Sequence, residues 1–389
     1  MKNIIVVSAF TLIWNIGFAQ TCVTQDLDSR SPEVKEGIER QLAETDGSSA
    51  RSVTYVQTVV HVLWSSANDN ISDSVVQANI DLVNKDLRRQ NADTSETPDH
   101  FLTVAADTEI ELRLAQVDPN GQPTNGITHT YTDSTEFYYE FGHMKYDSTG
   151  GKTAWDTENY LNIWVVRRIA IDVVGGGTTL GVGTLPSFTP NEEKGLVIRK
   201  EQFGSGSIGW RTITHEFGHF ACLIHPESID TCYDADMVSD TPIGQPALAL
   251  NCGDTVITCN NGPNGNMHQN FMSYNNLGCS NIFTQGQKDR MLNCLETQYP
   301  GLLQYRFLGV DELVSNRLEV FPNPTRNTIS FDSKEKGNLS VLDMRGRTVL
   351  TLAASKGKNA VEVSSLPKGI YLLRLETEQA FSSARFVKN

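Results

Sequence analysis

Three histidines fall within a short segment near the middle of the chain, and their spacing restricts how this part can fold. In the segment THEFGHFACLIH, His215 and His219 are four residues apart, so on an α-helix both imidazoles lie on one face. His225 comes six residues later and cannot continue that face. It reaches the other two only if the helix ends near Cys222 and the chain turns back. The spacing therefore predicts a helix, a tight turn and three convergent imidazoles.

The same residue types indicate a catalytic metal site. Three neutral nitrogen ligands with a fourth position left open is how proteins usually hold catalytic zinc. Glu216 lies beside the first histidine, where its carboxylate can take a proton from water polarised by the metal. The alternatives are three structural histidines on a core helix, or a zinc site whose third ligand is a downstream glutamate.

The rest of this part of the chain predicts mixed α and β structure. Strands are expected at 55–63, 109–115, 161–167 and 196–199. Apolar residues recur at helical spacing over 74–89, and Ser74 with Gln77 is typical of a capping box at the start of a helix.

Beyond the zinc segment, several motifs resemble those of one peptidase family. The histidine segment resembles the extended zinc signature of the metzincins, with Cys222 where that signature has glycine. The surroundings are similar to the pappalysin (cytophagalysin) family in particular; the supporting segments are 160–165, 238–242, 270–274, 283–287 and 290–291. The resemblance covers about residues 52–300. It implies a secreted zinc metalloendopeptidase of the α+β class, with a mixed twisted sheet, helices and an irregular C-terminal subdomain.

The resemblance also implies roles for individual residues. The implied zinc ligands are His215, His219 and His225, and Glu216 is the implied general base and acid. Met272 would form the Met-turn beneath the metal, and Tyr274 would direct its hydroxyl to the developing oxyanion. Core packing is the alternative role for these last two. An exposed edge strand at 181–186 would pair with an extended peptide substrate.

One feature of the resembling family is missing here. Relatives that cleave beside Arg or Lys carry an aspartate before the last cysteine of the irregular subdomain. This chain has Gly278 before Cys279, so a preference for basic residues is not expected.

Charge and loop composition suggest a second metal. The formal net charge is −14, and the excess of acidic residues lies in the region 52–318, which makes nucleic acid a poor partner. Oxygen-rich loops suit Ca²⁺. The resemblance places a calcium site at Asp236, Asp240 and Thr241, and the alternative is a solvated acidic loop.

The cysteines suggest disulfides. Four of them, in the irregular subdomain, allow three pairings, and the resemblance implies Cys232–Cys259 and Cys252–Cys279. Cys222 stands where the turn favours a positive φ, at a cost of about 1–2 kcal/mol for a residue other than glycine. We hypothesise a third bridge, Cys222–Cys294, that ties this turn to the C-terminal helix; a buried thiol at Cys294 is the alternative.

The N-terminal residues predict export. Residues 1–19 combine Lys2, an apolar run and Gly17-Phe18-Ala19, which is typical of a signal peptide. Residues 20–51 are polar and are predicted to be a propeptide. Its Cys22 could bind zinc and keep a zymogen silent, as similar cysteines do in the resembling family; an idle thiol is the alternative. No stretch is apolar enough for a transmembrane helix.

The C-terminal residues form a separate predicted domain. Short alternating runs in 319–389 favour a small all-β sandwich, preceded by a linker at 301–318. Segments 320–324, 369–373 and 385–388 are similar to the C-terminal sorting domain of type IX secretion, which implies that secretion machinery as a partner. An accessory binding domain is the alternative. The protein is thus expected to be secreted or at the cell surface, and a catalytically weak, metal-containing adhesin is the rival function.

Overall fold

The computed structural model describes thirteen parts of the chain and divides it into two compact units. The described residues are 53–139, 142–170, 179–186, 189–204, 209–228, 232–233, 236–247, 251–274, 277–304, 318, 320–343, 348–377 and 381–389. The first unit is Met1–Tyr305 and the second is Arg306–Asn389. The predicted signal peptide at 1–19, propeptide at 20–51 with Cys22, and most of the 301–318 linker lie outside the described residues.

A six-stranded mixed sheet organises the first unit. Its strands are β1 (Thr54–Trp64), β3 (Ile110–Leu114), β4 (Ile127–Tyr131), β6 (Leu161–Val166), β8 (Gly181–Gly183) and β9 (Leu196–Arg199). The order is β3-β1-β6-β9-β8, and β4 pairs with the second half of β1. All pairs are parallel except β8 with β9. Parallel strands are covered on both faces, which explains why β1 is buried along most of its length and β6 along all of it.

Three α-helices, several 3₁₀-helices of three or four residues and some two-residue strands complete the described part of this unit. The helices are α1 (Asp73–Leu87), α2 (Trp210–Phe220) and α3 (Gln285–Gln298). The small strands are β2 (Ala105–Ala106), β5 (Phe137–Tyr138), β7 (Ile169–Ala170) and β10 (Phe283–Thr284). Helix α1 packs against β3 and α2, and α2 packs against β8 and β9. The apolar faces of the helices and the sheet meet in one core.

The elements agree with the sequence expectations, with two corrections. The capping box expected at Ser74 and Gln77 is wrong, because α1 is preceded by Ser72 as its N-cap and the Gln77 amide donates to Asp81. The expected exposure of residues 181–186 is also wrong: all six are buried. Strand β8 lies at the end of the sheet order, but α2 packs directly against it.

Disulfides hold the irregular region that follows α2. Between α2 and β10 the described residues form no regular helix or strand. Two bridges, Cys232–Cys259 and Cys252–Cys279, lie within this region. A third, Cys222–Cys294, joins the end of α2 to α3. An irregular segment has few ladder hydrogen bonds, so such cross-links restrict its unfolded chain and favour the folded form.

The second unit is an all-β sandwich. Its strands are β11 (Thr328–Ser333), β12 (Gly337–Asp343), β13 (Thr348–Ala354), β14 (Gly357–Glu362), β15 (Gly369–Glu376) and β16 (Phe381–Lys388). Antiparallel β11 and β14 form one sheet, and the other has the order β13-β12-β15-β16. Alternating side chains from both sheets, such as Phe331, Val341 and Phe386, form its core. Within the described parts of the chain, no helix is long and apolar enough to cross a membrane.

Candidate active site

Helix α2 carries the first two histidines on its buried face. His215 and His219 are one turn apart, and both are almost fully buried. The helix ends at Phe220, and two hydrogen bonds close the turn after it: Cys222 N–H donates to His219 O at 2.9 Å and Leu223 N–H to Gly218 O at 2.8 Å. This pair of bonds is a Schellman motif, which reverses the chain after a helix. The turn brings His225 back towards α2.

Cys222 occupies the left-handed position of this turn. Its φ is +68°, the conformation that favours glycine. The turn is therefore not rearranged to suit the larger residue, and the conformational cost of about 1–2 kcal/mol stays in the folded state. The bridge to Cys294 holds the residue there. The turn that precedes His225 keeps its geometry despite the cysteine, so Cys222 gives no structural reason to expect a catalytically weak protein.

The three imidazoles converge on one point. The Nε2 atoms of His215, His219 and His225 lie 3.1–3.2 Å from one another. Zinc bound to nitrogen at about 2.0–2.1 Å with tetrahedral angles requires ligand atoms about 3.3–3.4 Å apart. The three rings therefore need to move only slightly to coordinate zinc. Among the described residues, these histidines are the one group of three or more His, Cys, Asp or Glu side chains arranged to hold a metal.

Hydrogen bonds fix which ring nitrogen can bind a metal. His215 Nδ1 lies 2.6 Å from Phe271 O, and His219 Nδ1 lies 2.8 Å from Leu223 O. A carbonyl oxygen only accepts, so each Nδ1 carries the proton and each Nε2 presents a lone pair. Lone pairs that face each other at this distance repel unless a cation lies between them. The donor set therefore fits a bound metal ion, and the two carbonyls orient the imidazoles of His215 and His219.

Burial keeps all three imidazoles neutral. Desolvation lowers the pKa of His215 from 6.5 to about 4. The pKa values of His219 and His225 also fall well below 6.5, first through burial and then through the neighbouring histidines. Only neutral imidazole can donate its lone pair to a metal, so this site is prepared for metal at neutral pH.

Glu216 lies between α2 and β8. It is 1% exposed, and it directly follows His215 in the sequence. A Cβ on Gly181 would lie 2.8 Å from Glu216 Cγ and 3.0 Å from Glu216 Oε1, and a Cβ on Gly183 would lie 2.1 Å from Glu216 O. The two glycines of β8 thus leave the space that the glutamate occupies. Sequence reasoning noted this segment as a substrate edge and missed this role.

We expect Gly181→Ala to lower kcat for peptide hydrolysis by about 10²-fold, the usual cost of misplacing a catalytic group by 1 Å. The new methyl group would lie 2.8 Å from both Glu216 Cγ and Thr212 Cγ2, so it would displace the Glu216 side chain together with its carboxylate. Gly253→Ala is the matched control, because nothing lies within 4 Å of the added methyl. Kinetics with circular dichroism checks this prediction. Equal activities of the two folded variants would contradict it.

Met272 packs beneath α2, the helix that carries His215 and His219. It is fully buried, and its sulfur lies 2.2 Å from where a Cβ on Gly218 would be. Glycine inside a helix costs about 1 kcal/mol relative to alanine. The absence of a side chain at Gly218 leaves room for Met272 to pack directly against α2, at the expense of that helix stability. The glycine between the two histidines was the sequence signal for this contact, and sequence reasoning missed it.

Tyr274 lies beside the third histidine. Its ring centroid is 3.8 Å from that of His225, with an angle of 57° between the rings. Its backbone N–H donates to Glu227 Oε2 at 3.3 Å, and Ser273 Oγ donates to Glu227 Oε1. Burial raises the pKa of Glu227 to about 7. Sequence reasoning did not identify Glu227, because only the fold brings it to residues 273–274.

The residues expected to bind calcium separate into two places. Thr241 Oγ1 lies 2.9 Å from both carboxylate oxygens of Asp236, and the two residues are buried. Asp240 instead accepts from Thr284 Oγ1 at 2.7 Å and from the Gly286 N–H at 2.8 Å, at the start of α3. A carboxylate is favourable at a helix N-terminus. The structure therefore brings Asp236 and Thr241 together and engages Asp240 elsewhere.

Comparison with known proteins identifies the family. Residues 144–296, which include the three histidines, match the family described as pregnancy-associated plasma protein-A. Mature mirolysin of Tannerella forsythia, solved in complex with a cleaved peptide, is 35% identical, with a TM-score of 0.59 over 66% of this chain and 97% of that one. The chain belongs to the pappalysin family of metallopeptidases. A promirolysin mutant of T. forsythia is similar at 32% identity and a TM-score of 0.63, over 73% and 95% of the two chains.

A curated extracellular relative and the C-terminal domain give the location. An extracellular metalloprotease of Trichophyton verrucosum is 28% identical over 61% of this chain and 75% of its own length. Residues 319–389 match the secretion system C-terminal sorting domain. The protein is therefore a metallopeptidase that is secreted or at the cell surface, as the sequence predicted. Its α+β fold with a C-terminal β-sandwich is confirmed as well.

Proposed function

We propose that this pappalysin is a zinc-dependent endopeptidase, made as a zymogen, that cleaves extracellular proteins. The observation that carries the proposal is the convergence of three neutral, buried Nε2 atoms at 3.1–3.2 Å. His215, His219 and His225 would hold the zinc. When bound, zinc polarises the scissile carbonyl and lowers the pKa of water to about 7.

The protein's own residues would handle the protons and the developing charge. The Glu216 carboxylate takes a proton from the attacking water and returns it to the leaving amine. The Tyr274 hydroxyl donates to the oxyanion that forms at the scissile carbonyl. Met272 packs against α2 and so fixes the position of the helix that carries His215 and His219. The substrate would bind extended along the active-site cleft, and the cleaved peptide in the mirolysin complex supports this class of ligand.

The zymogen part of the proposal rests on residues 20–51 and their Cys22. A thiolate has the charge and softness to bind zinc in place of water. The existence of a pro-form of mirolysin supports a similar precursor here. Cleavage near Arg51-Ser52 would remove the cysteine together with the propeptide, and Cys22→Ser should then give a precursor that is active before processing.

The proposed function is tested on the chain from residue 20 to residue 389. Wild type and Glu216→Ala are incubated with zinc, with and without an unfolded protein substrate, and intact masses are measured. We expect wild type alone to lose its N-terminal segment near residue 51 and to cleave the substrate. If wild type does not process itself, its propeptide is removed with a second protease and the substrate is added again. A processed wild type that leaves the substrate uncleaved would overturn the proposal. Equal trimming of both chains would identify a contaminating protease, which a repurified sample eliminates.

The sorting domain is proposed to act during export and then to be removed or used for attachment. Its support is the match of residues 319–389 to a secretion domain, and the type IX machinery is the partner implied. A mature C-terminus near residue 318 would indicate removal, and an intact tail on protein released into the medium would contradict it.

We also propose a structural calcium ion at Asp236 and Thr241. The buried carboxylate and hydroxyl oxygens are the ligand type that calcium prefers. We expect calcium at about a hundred times its Kd to stabilise this unit by about 2.7 kcal/mol in urea unfolding. Asp236→Asn should abolish this gain, whereas Asp240→Asn should keep it, since Asp240 serves α3. Equal calcium responses of wild type and Asp236→Asn would contradict the site.

A further inference from the structure

Glu227 is a buried carboxylate whose two oxygens contact a single segment. The residue is 4% exposed and follows His225 by two positions. Its Oε1 accepts from Ser273 Oγ, and its Oε2 accepts from the Tyr274 N–H at 3.3 Å. No lysine or arginine of the described residues forms an ion pair with it. A buried acid without a cation contributes poorly to stability, so general stabilisation does not explain this residue.

The backbone of Glu227 is fixed independently of these contacts. Glu227 forms a bridge with Gly244, and the neighbouring Ser228 N–H donates to Gly244 O at 2.9 Å. The carboxylate therefore extends from a backbone that is paired within the irregular region. Its contacts to Ser273 and Tyr274 join this region to the turn that contains Met272.

The contacts of Tyr274 form a closed loop with the third histidine. Its backbone is bound by Glu227, and its ring lies against His225, two residues before that glutamate. The backbone and the ring of Tyr274 thus both contact one short segment, residues 225–227. A shift of that backbone would move the phenol relative to the metal-binding face of His225.

We infer that Glu227 is a positioning residue for Tyr274: its carboxylate fixes the backbone from which the phenol reaches the oxyanion of the substrate. The inference rests on the proposed peptidase function. An oxyanion donor must lie about 2.7–3.1 Å from the charge that develops, and a displacement of about 1 Å can cost 10²-fold in rate. Glu227 itself touches neither the substrate nor the reacting atoms.

A double-mutant cycle in the full, processed chain tests this inference. We expect Glu227→Ala and Tyr274→Phe each to lower kcat by at least about tenfold, with KM within about twofold of wild type. Because Glu227 acts through the Tyr274 hydroxyl, the double variant should be no slower than Tyr274→Phe within about twofold. Effects on kcat that multiply would overturn the inference.

Asp86→Asn is the matched control. Asp86 is also a buried carboxylate, 3% exposed, and it accepts hydrogen bonds from Trp210 and Thr214 at the start of α2. Whatever change in kcat it causes should multiply with that of Tyr274→Phe. Ser273→Ala serves if Glu227→Ala does not fold; it removes one of the two contacts, and its effect should also vanish in the Tyr274→Phe background.

A structural readout tests the inference without activity. In a crystal structure of metal-free Glu227→Ala, we expect the Tyr274 ring to have left its 3.8 Å contact with His225. A ring that remains in place would overturn the inference whether or not the enzyme cleaves peptides. If the wild-type protein has no peptidase activity, the proposed function is wrong. The crystal structure of Glu227→Ala would still show whether Glu227 positions Tyr274.

Discussion

Glu216→Gln is expected to lower kcat for peptide hydrolysis by about 10²–10⁴-fold, the range that general acid–base catalysis contributes. The amide cannot take a proton from water, but it has nearly the same shape as the carboxylate. The three histidines are unchanged, so the variant should still bind one zinc ion per chain. Peptide kinetics together with zinc analysis of the dialysed protein checks both parts.

Two variants make this result specific. Glu158→Gln applies the same substitution to an exposed residue and should keep wild-type kcat. His225→Ala should lose zinc as well as activity, because two imidazoles and water hold zinc more weakly than three. Glu216→Gln with activity within tenfold of wild type would show that Glu216 is not the general base.

The second large effect concerns the bridge between α2 and α3. We expect Cys222→Ala with Cys294→Ala to lower the free energy of unfolding by about 3–4 kcal/mol, since the bridge closes a long loop in the unfolded chain. The two other disulfides shorten that loop but do not remove it. Urea unfolding without reductant measures the difference.

A glycine at the same position separates the bridge from the backbone strain. Cys222→Gly with Cys294→Ala also lacks the disulfide, but glycine adopts the positive φ of residue 222 without strain. We expect this pair to be about 1 kcal/mol more stable than the alanine pair, allowing for the larger entropy of glycine in the unfolded chain. Equal stabilities would contradict the assignment of strain to this turn.

Tryptophan fluorescence can follow unfolding of the catalytic unit alone. All five tryptophans lie in the first unit, and Trp14 belongs to the predicted signal peptide, so the exported protein keeps Trp64, Trp155, Trp164 and Trp210. The signal therefore excludes the C-terminal sandwich, whose separate unfolding would otherwise obscure the transition.

Local patterns predicted those features that depend on neighbours in sequence. The residues of β1, which are rich in valine, and the apolar spacing in α1 predicted their elements within two residues. The sequence placed the start of α1 less accurately, because the N-cap is Ser72 and not Ser74. The true capping box lies at α3, where Thr284 and Gln287 exchange hydrogen bonds, and it carried the same sequence signal.

Residues 181–186 show why burial was harder to predict than secondary structure. The sequence GVGTLP is compatible with an exposed edge, since glycine has no side chain that reveals a partner. In the fold, Gly181 and Gly183 are buried because α2 approaches their backbone closely. Glycine that permits a close approach looks the same in sequence as glycine in a mobile loop.

The sequence by itself determined the pappalysin family, the cysteine pairs and the sorting tail of this protein, and it predicted the residues of the zinc segment. These follow from residue types at short, fixed spacings, which a helix and a turn convert into geometry. Only the tertiary structure decided that Cys222 keeps a strained turn, that glycines make room for Glu216 and Met272, and that Glu227 holds residues 273–274. Such contacts join residues far apart in the chain, and their energy depends on close packing that no local pattern records.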